Sequence, residues 1–366
     1  MRTIVVTYTL AAAALLVAGC EDKPKMMSAA EVADAGDKAL DPALAKAVAA
    51  ASAKDAKGAA PAGGSDEPPE TGVFAPGAAD RAMPKGAPAK LVLGGEGSEP
   101  RVALSSMQPA AGYKHPGELV LTLQTGGGAL PPMALALRFE AKKPKAPAAE
   151  GEAVGVTATV TRAGVSDASG NLPKEVRDQL GKLQGSSVEY SVARNGAGGD
   201  FRVVLAKAAD PGLGTILSSL AEGLATLTIP FPDQPVGAGA FWMVTTREEL
   251  AGIDVVAYRL VKVESIAGDV LTLSESTKRY AASDTIDVPG LPADMKDLKL
   301  AQFDASSAGT IQVRKGTPIP ITASLTQTLL APLSSGAQQA QGQPQAGLRA
   351  QTKLEFTLGE AGKPAK

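Results

Sequence analysis

With one cysteine, one histidine and one tryptophan in 366 residues, this chain lacks most of the side chains on which catalytic and metal chemistry rest. A single cysteine forbids an intramolecular disulfide, so any folded part must stand on its apolar core alone, even in an oxidising compartment. A single histidine forbids a two-histidine zinc site, and a Ser-His-Asp arrangement would have to use His115. That residue lies in Gly112-Tyr113-Lys114-His115-Pro116-Gly117, which reads as a solvated turn. There is no Gly-x-Ser-x-Gly, no Walker loop and no dinucleotide fingerprint. Gly126-Gly127-Gly128 is followed by Pro131-Pro132 and reads as a hairpin connection, not as a phosphate loop opening a helix. Charge of one sign is also missing: 36 Lys and Arg against 38 Asp and Glu leave a net charge of −2, so no global field recruits nucleic acid. Two carboxylate pairs, Glu248-Glu249 and Asp294 with Asp297, remain as acid-base candidates, and their spacing is that of ordinary solvated surface. No catalytic residue, metal site or cofactor is assigned, and an enzyme is not expected.

What is present begins at the N-terminus. Arg2 precedes an apolar stretch from Ile4 to Ala18, interrupted by Thr7, Tyr8 and Thr9. That length suits a signal-peptide core and falls short of the roughly 20 apolar residues of a bilayer-spanning helix. Leu16-Val17-Ala18-Gly19-Cys20 then ends the run on small side chains and a thiol. This segment resembles the lipobox of bacterial lipoproteins. The resemblance implies that Val17, Ala18 and Gly19 are read by the signal peptidase, and that Cys20 is lipidated and becomes the first mature residue. Glu21, where an aspartate would favour the inner membrane, implies outer-membrane anchoring facing the periplasm. One acyl chain holds only weakly, and two or three hold firmly.

Residues 1–19 are thus expected as signal peptide. Residues 20–90 are expected as a lipidated, disordered linker rich in Ala, Pro and Gly, because Phe74 is its one aromatic residue and its apolar bulk does not offset folding entropy. Such a tether reaches roughly 45 Å on average.

From residue 91 to 360 the pattern is that of strands, followed by a disordered tail at 361–366. Alternation places Leu119, Leu121 and Leu123 on one face, then Leu135, Leu137 and Phe139, then Val154, Val156, Ala158 and Val160. Asn195-Gly196, Gly268-Asp269 and Lys315-Gly316 mark hairpin turns between further alternating runs. The clearest alternation is the last, Leu348 to Leu358, reached after a Gln-rich insert from Ser334 to Gly347. Two segments take helical spacing: Leu172, Val176, Leu180 and Leu183 behind Asn171, and Leu213, Ile216, Leu217, Leu220 and Leu224 behind Asp210-Pro211. The Pro-rich stretch 230–236 is either a split between two subdomains or a crossover. Trp242 follows it, with packing beneath the crossover or ligand stacking as its two roles.

The fold expected is mainly β: antiparallel sheets, as a sandwich or a curved half-barrel, with two packed amphipathic helices. Pro235-Val236-Gly237-Ala238-Gly239 with Trp242, followed by Tyr258-Arg259-Leu260, is similar to an uncharacterised family of β-rich envelope lipoproteins. Strands curved over helices are similar in architecture to periplasmic lipoprotein carriers, which implies a concave sheet and an apolar cavity. Two functions follow as expectations: a membrane-anchored, non-catalytic structural or protein-binding domain, or a carrier or sensor of a lipid or other amphiphile. The partners expected are the membrane, through its lipid anchor, and an envelope protein or an amphiphile, with no nucleic acid.

Overall fold

A computed structural model describes residues 68–104, 107–110, 112–125, 128–129, 131–142, 153–166, 174–286, 298–317, 319–334 and 347–359. In chain order its elements are α1 (Ala78–Ala82), β1 (Lys90–Gly95), β2 (Lys114–Thr125), β3 (Gly128–Ala129), β4 (Met133–Ala141), β5 (Val154–Val165), α2 (Lys174–Gly181), β6 (Ser187–Val192), β7 (Gly198–Val204), α3 (Gly214–Leu227), β8 (Phe241–Leu250), β9 (Ile253–Ala267), β10 (Val270–Ala281), β11 (Lys299–Leu300), β12 (Asp304–Arg314), β13 (Thr322–Ser334) and β14 (Gly347–Leu358). Twelve strands form one antiparallel ladder in the order β1-β8-β9-β10-β12-β13-β14-β2-β4-β5-β6-β7, with β3 added to β2 and β11 to β13. The turns expected at Gly196, Gly268 and Gly316 are there, each glycine at positive φ (85°, 63° and 80°).

A flat ladder of twelve strands would be roughly 53 Å wide at ~4.8 Å per step. This one is curled, as a single residue shows. Thr228, just past α3, accepts a hydrogen bond on its carbonyl from Arg259 Nη1 of β9 at 2.9 Å. Its side chain also lies against Gly198 of β7, where an added Cβ would stand 2.5 Å from Thr228 Oγ1. These strands are third and twelfth in the ladder, so the sheet wraps around the end of α3. The edges β1 and β7 do not pair with each other, and the sheet stays open. Of the sandwich and the curved half-barrel, this is the half-barrel, because one continuous sheet supplies the whole enclosing wall.

Sequence explains why α3 occupies the hollow. Asp210 caps the preceding turn by accepting from Gly212 N at 2.9 Å, with Pro211 at its first position. Leu217, Leu220 and Leu224 then recur on one face and are fully buried. Burying each contributes about 1.5–3 kcal/mol. The absent side chain of Gly223 lets the helix settle on the sheet, since a Cβ there would meet Leu354 Cδ1 at 3.1 Å.

The Pro-rich stretch is a crossover, not a subdomain split. Ile229 and Phe231 join a core cluster containing residues from Leu104 to Phe356, and the ladder runs through both halves of the chain. The stretch also seals the open side of the half-barrel: Phe231 N donates to Asn195 O at 2.8 Å, Val102 bridges Val236, and Met107 N donates to Arg194 O at 2.9 Å.

Residues 69–89, expected in the linker, are instead part of the body. Val256 and Tyr258 share the outer face of the sheet, and with Met243 and Tyr280 they form a second apolar surface. Phe74, Ala78, Ala79 and Met83 bury themselves on it. Arg247 clamps this strap: its Nε and Nη2 donate to the two carboxylate oxygens of Asp254 at 2.6 and 2.9 Å, and its Nη1 donates to Met83 O at 3.1 Å. Composition missed the strap because a few apolar residues suffice once β9 and β10 offer them a surface. Hydrogen exchange tests the point: the Phe74 amide, donated to Ala281 O at 2.9 Å, is expected to exchange slowly, whereas a linker amide exchanges at the rate of an open chain.

Candidate functional site

On the concave face, side chains from neighbouring strands line up in rows, since residues paired across an antiparallel ladder point the same way. One row is polar for five consecutive strands: Arg259 opposes Thr277, Thr277 opposes Ser307, Ser307 opposes Gln327, and Gln327 opposes Thr352. The row on one side includes Leu325, Leu354 and Leu121, and the row on the other includes Ala305, Leu329 and Ala350. The polar row therefore separates two apolar clusters, a large one around α3 and a smaller one with Leu250, Val255 and Leu333.

Helices α2 and α3 cover the sheet incompletely, and a cavity of about 450 Å³ lies between them. Leu121, Leu325 and Leu354 from the sheet and Val176, Leu180 and Ile216 from the helical side form its apolar wall. The polar row crosses it with Ser307, Gln327 and Thr352. Glu248 and Arg279 stand beside that row, and Glu222 and Glu249 also line the cavity.

The charges here are held tightly. Arg279, 2 % exposed, donates from Nε to Glu248 Oε1 at 2.6 Å and from Nη1 to Ser307 Oγ at 3.3 Å. Behind it Arg259 Nε lies 3.5 Å from Glu275 Oε1, which also accepts from Thr277 Oγ1 at 2.9 Å. Glu275 Oε2 is buried without a hydrogen-bond partner among the described residues. Burial pushes the Glu248 carboxyl up, but the Arg279 and Arg259 guanidiniums and hydrogen bonds from Arg279 and Thr246 outweigh it and hold it below its ordinary value. Glu248 keeps 31 % of its side-chain surface accessible, and it lines the cavity. The arrangement can solvate a polar group in the middle of an apolar ligand.

The residues singled out from sequence are scattered. Val17, Ala18, Gly19 and Cys20 lie outside the described residues, as do Asp294 and Asp297. Trp242 is fully buried, donates Nε1 to Pro230 O at 2.9 Å and packs on Phe231 with ring centroids 5.7 Å apart. It packs beneath the crossover and is not among the residues that line the cavity. His115 is not in a turn: it is the second residue of β2, half-buried, stacked on Tyr113 at 4.5 Å, with Nδ1 3.4 Å from Gly359 O. The strand reaches this far because Lys114 and His115 pair with Glu140 and Phe139. Glu248 takes Arg279 as its partner, and Glu249, the next residue of β8, also lines the cavity. Among the described residues no group of three or more His, Cys, Asp or Glu could hold a metal ion, and no helix is long and apolar enough to cross a membrane.

The polar row escaped the sequence reading. Its signal was there, as Glu275-Ser276-Thr277-Lys278-Arg279 following Leu271 and Leu273, and as Gln327 between Leu325 and Leu329. Only the pairing register brings these positions side by side.

No family model matches the chain, and no curated protein does either. Among solved structures it is similar to one titled "Lipid-protein interactions in lipovitellin", at 12 % identity and a TM-score of 0.40, over 71 % of this chain and 26 % of that one. A second similarity is to DynF from the dynemicin biosynthesis pathway of Micromonospora chersina, at 9 % identity and a TM-score of 0.18, over 75 % and 92 % of the two chains. The chain thus spans about a quarter of the lipovitellin chain, and likeness this remote assigns it neither a family nor a ligand.

Proposed function

We propose that this protein is a lipid-anchored lipoprotein of the bacterial envelope whose half-barrel carries or senses an amphiphile. The observation that supports this reading is the apolar cavity of about 450 Å³ beneath α2 and α3, within the ~300–1,000 Å³ range of small-molecule sites. Leucines that could have closed on one another instead face a space, and a ligand that covers them removes apolar surface from water at about 25 cal/mol per Å². Anchoring through Cys20, as the lipobox resemblance implies, would keep the body near the bilayer from which such a ligand comes.

The test uses the full chain with Cys20→Ala, which is expected in the soluble fraction, incubated with vesicles of bacterial lipid and examined by native mass spectrometry. A lipid adduct is expected. Adding Ala350→Phe, which puts a ring into the cavity floor, is expected to weaken uptake at least about tenfold. A clean unliganded mass after incubation overturns the proposal and leaves display of a protein-binding surface as the function to pursue.

A further inference from the structure

If the half-barrel is a carrier, as proposed, the chemistry of its lining specifies the ligand more closely than "amphiphile". Gln327 and Thr352 sit side by side in register on β13 and β14, and both line the cavity. Neither side chain has a hydrogen-bond partner among the described residues. The half-buried amide and hydroxyl therefore line the cavity without being taken up by other described residues. Leu325 and Leu354 flank them on one side, Leu329 and Ala350 on the other, at about 7 Å along the strands. A ligand lying across this floor meets apolar wall, then two hydrogen-bonding groups, then apolar wall again.

Charge narrows the choice further. Among the described lining residues Arg279 is the single cation, and its guanidinium is committed to Glu248 and Ser307. The other ionisable lining groups, Glu222 and Glu249, are acids. A ligand carboxylate or phosphate would enter a largely apolar space facing carboxylates, with no uncommitted cation to receive it, and that desolvation is costly.

We infer that the cavity is built for an uncharged lipid with an ester or amide linkage between two apolar segments, the linkage held by Gln327 and Thr352. The Gln327 NH₂ and the Thr352 hydroxyl donate to the carbonyl oxygen of the linkage, an arrangement that leaves the Arg279–Glu248 pair intact.

Two isomers make a direct test: hexyl decanoate carries its ester inside the chain, and hexadecanoic acid carries the same atoms as a terminal acid. Each competes with the neutral dye Nile red for the full chain with Cys20→Ala, alongside hexadecane and hexadecyltrimethylammonium. With the acid ionised, the ester is expected to bind at least about tenfold more tightly than each of the other three, the discrimination expected of one or two hydrogen bonds to an uncharged group. Gln327→Leu combined with Thr352→Val, both close in volume to the original, is expected to bring the ester down to the level of hexadecane. An acid or ammonium that matches the ester overturns the inference, as does a hexadecane affinity equal to the ester's in the natural cavity. So does an ester preference that survives the double replacement. If none of the four displaces the dye, the carrier reading itself falls, which is a distinct result.

Discussion

Trp242→Ala is expected to lower the stability of the folded body by about 3–5 kcal/mol, the range for truncating a fully buried large aromatic side chain. Equilibrium urea unfolding checks it: the midpoint should fall while the slope stays unchanged. Trp242 is the largest of the fully buried side chains. It joins β8 to the crossover through Phe231 and through the Nε1 hydrogen bond to Pro230 O, and the crossover seals the open side of the half-barrel. Trp242→Phe should cost less, about 1–3 kcal/mol, because most of the ring volume stays and the main loss is the partner of a buried carbonyl. Equal effects of the two substitutions would mean that the hydrogen bond contributes nothing. A Trp242→Ala variant as stable as the parent would show that the crossover does not seal the core.

Arg279→Met is the second large effect, expected to cost about 3–5 kcal/mol because it leaves a partly desolvated carboxylate without its nearest cation. The pH dependence supplies a signature that packing loss alone would not. In the natural chain the folded-state pKa of Glu248 is depressed, so the pair stabilises the fold above the carboxylate's unfolded pKa, and that contribution is lost as pH falls through the folded value. Without Arg279, burial of Glu248 is opposed only by the Arg259 guanidinium and the Thr246 hydroxyl, so its folded pKa lies higher than in the natural chain. Protonation then costs the variant less than it costs the natural chain, and the variant's deficit should shrink on acidification instead of growing. Adding Glu248→Leu to Arg279→Met should recover most of the loss, since a buried ion pair replaced by apolar groups of similar size is often neutral. A double-mutant cycle with no coupling between the two positions would remove this pair from the account of the cavity.

How much of the fold and the cavity was legible depended on whether a residue's role is set by its near neighbours or by its partners across the sheet. Helix α3 was legible, because Asp210-Pro211 and the recurrence of Leu217, Leu220 and Leu224 are local. So were the hairpins at Gly196, Gly268 and Gly316, where the turn itself demands glycine. His115 was misjudged as a turn residue because Pro116 and Gly117 read as punctuation, yet His115 and Pro116 pair with Phe139 and Arg138 in an ordinary ladder. Phe74 was misjudged because nothing near it in sequence offers an apolar surface, whereas Tyr280, with its ring centroid 6.0 Å away, does so in space.

The sequence by itself determined the class of the fold and the chemistry that is out of reach. Alternation at period two, one cysteine and one histidine are properties of the linear chain, and no tertiary arrangement alters them. Tertiary structure alone decided that twelve strands make one curled sheet instead of two stacked ones, that the strap covers its outer face, and that Gln327 and Thr352 meet on a cavity floor. The physical reason is register. A shift of one residue in any pairing would turn those side chains to the opposite face, and the register is selected by the burial of the whole apolar surface at once, which no single segment encodes.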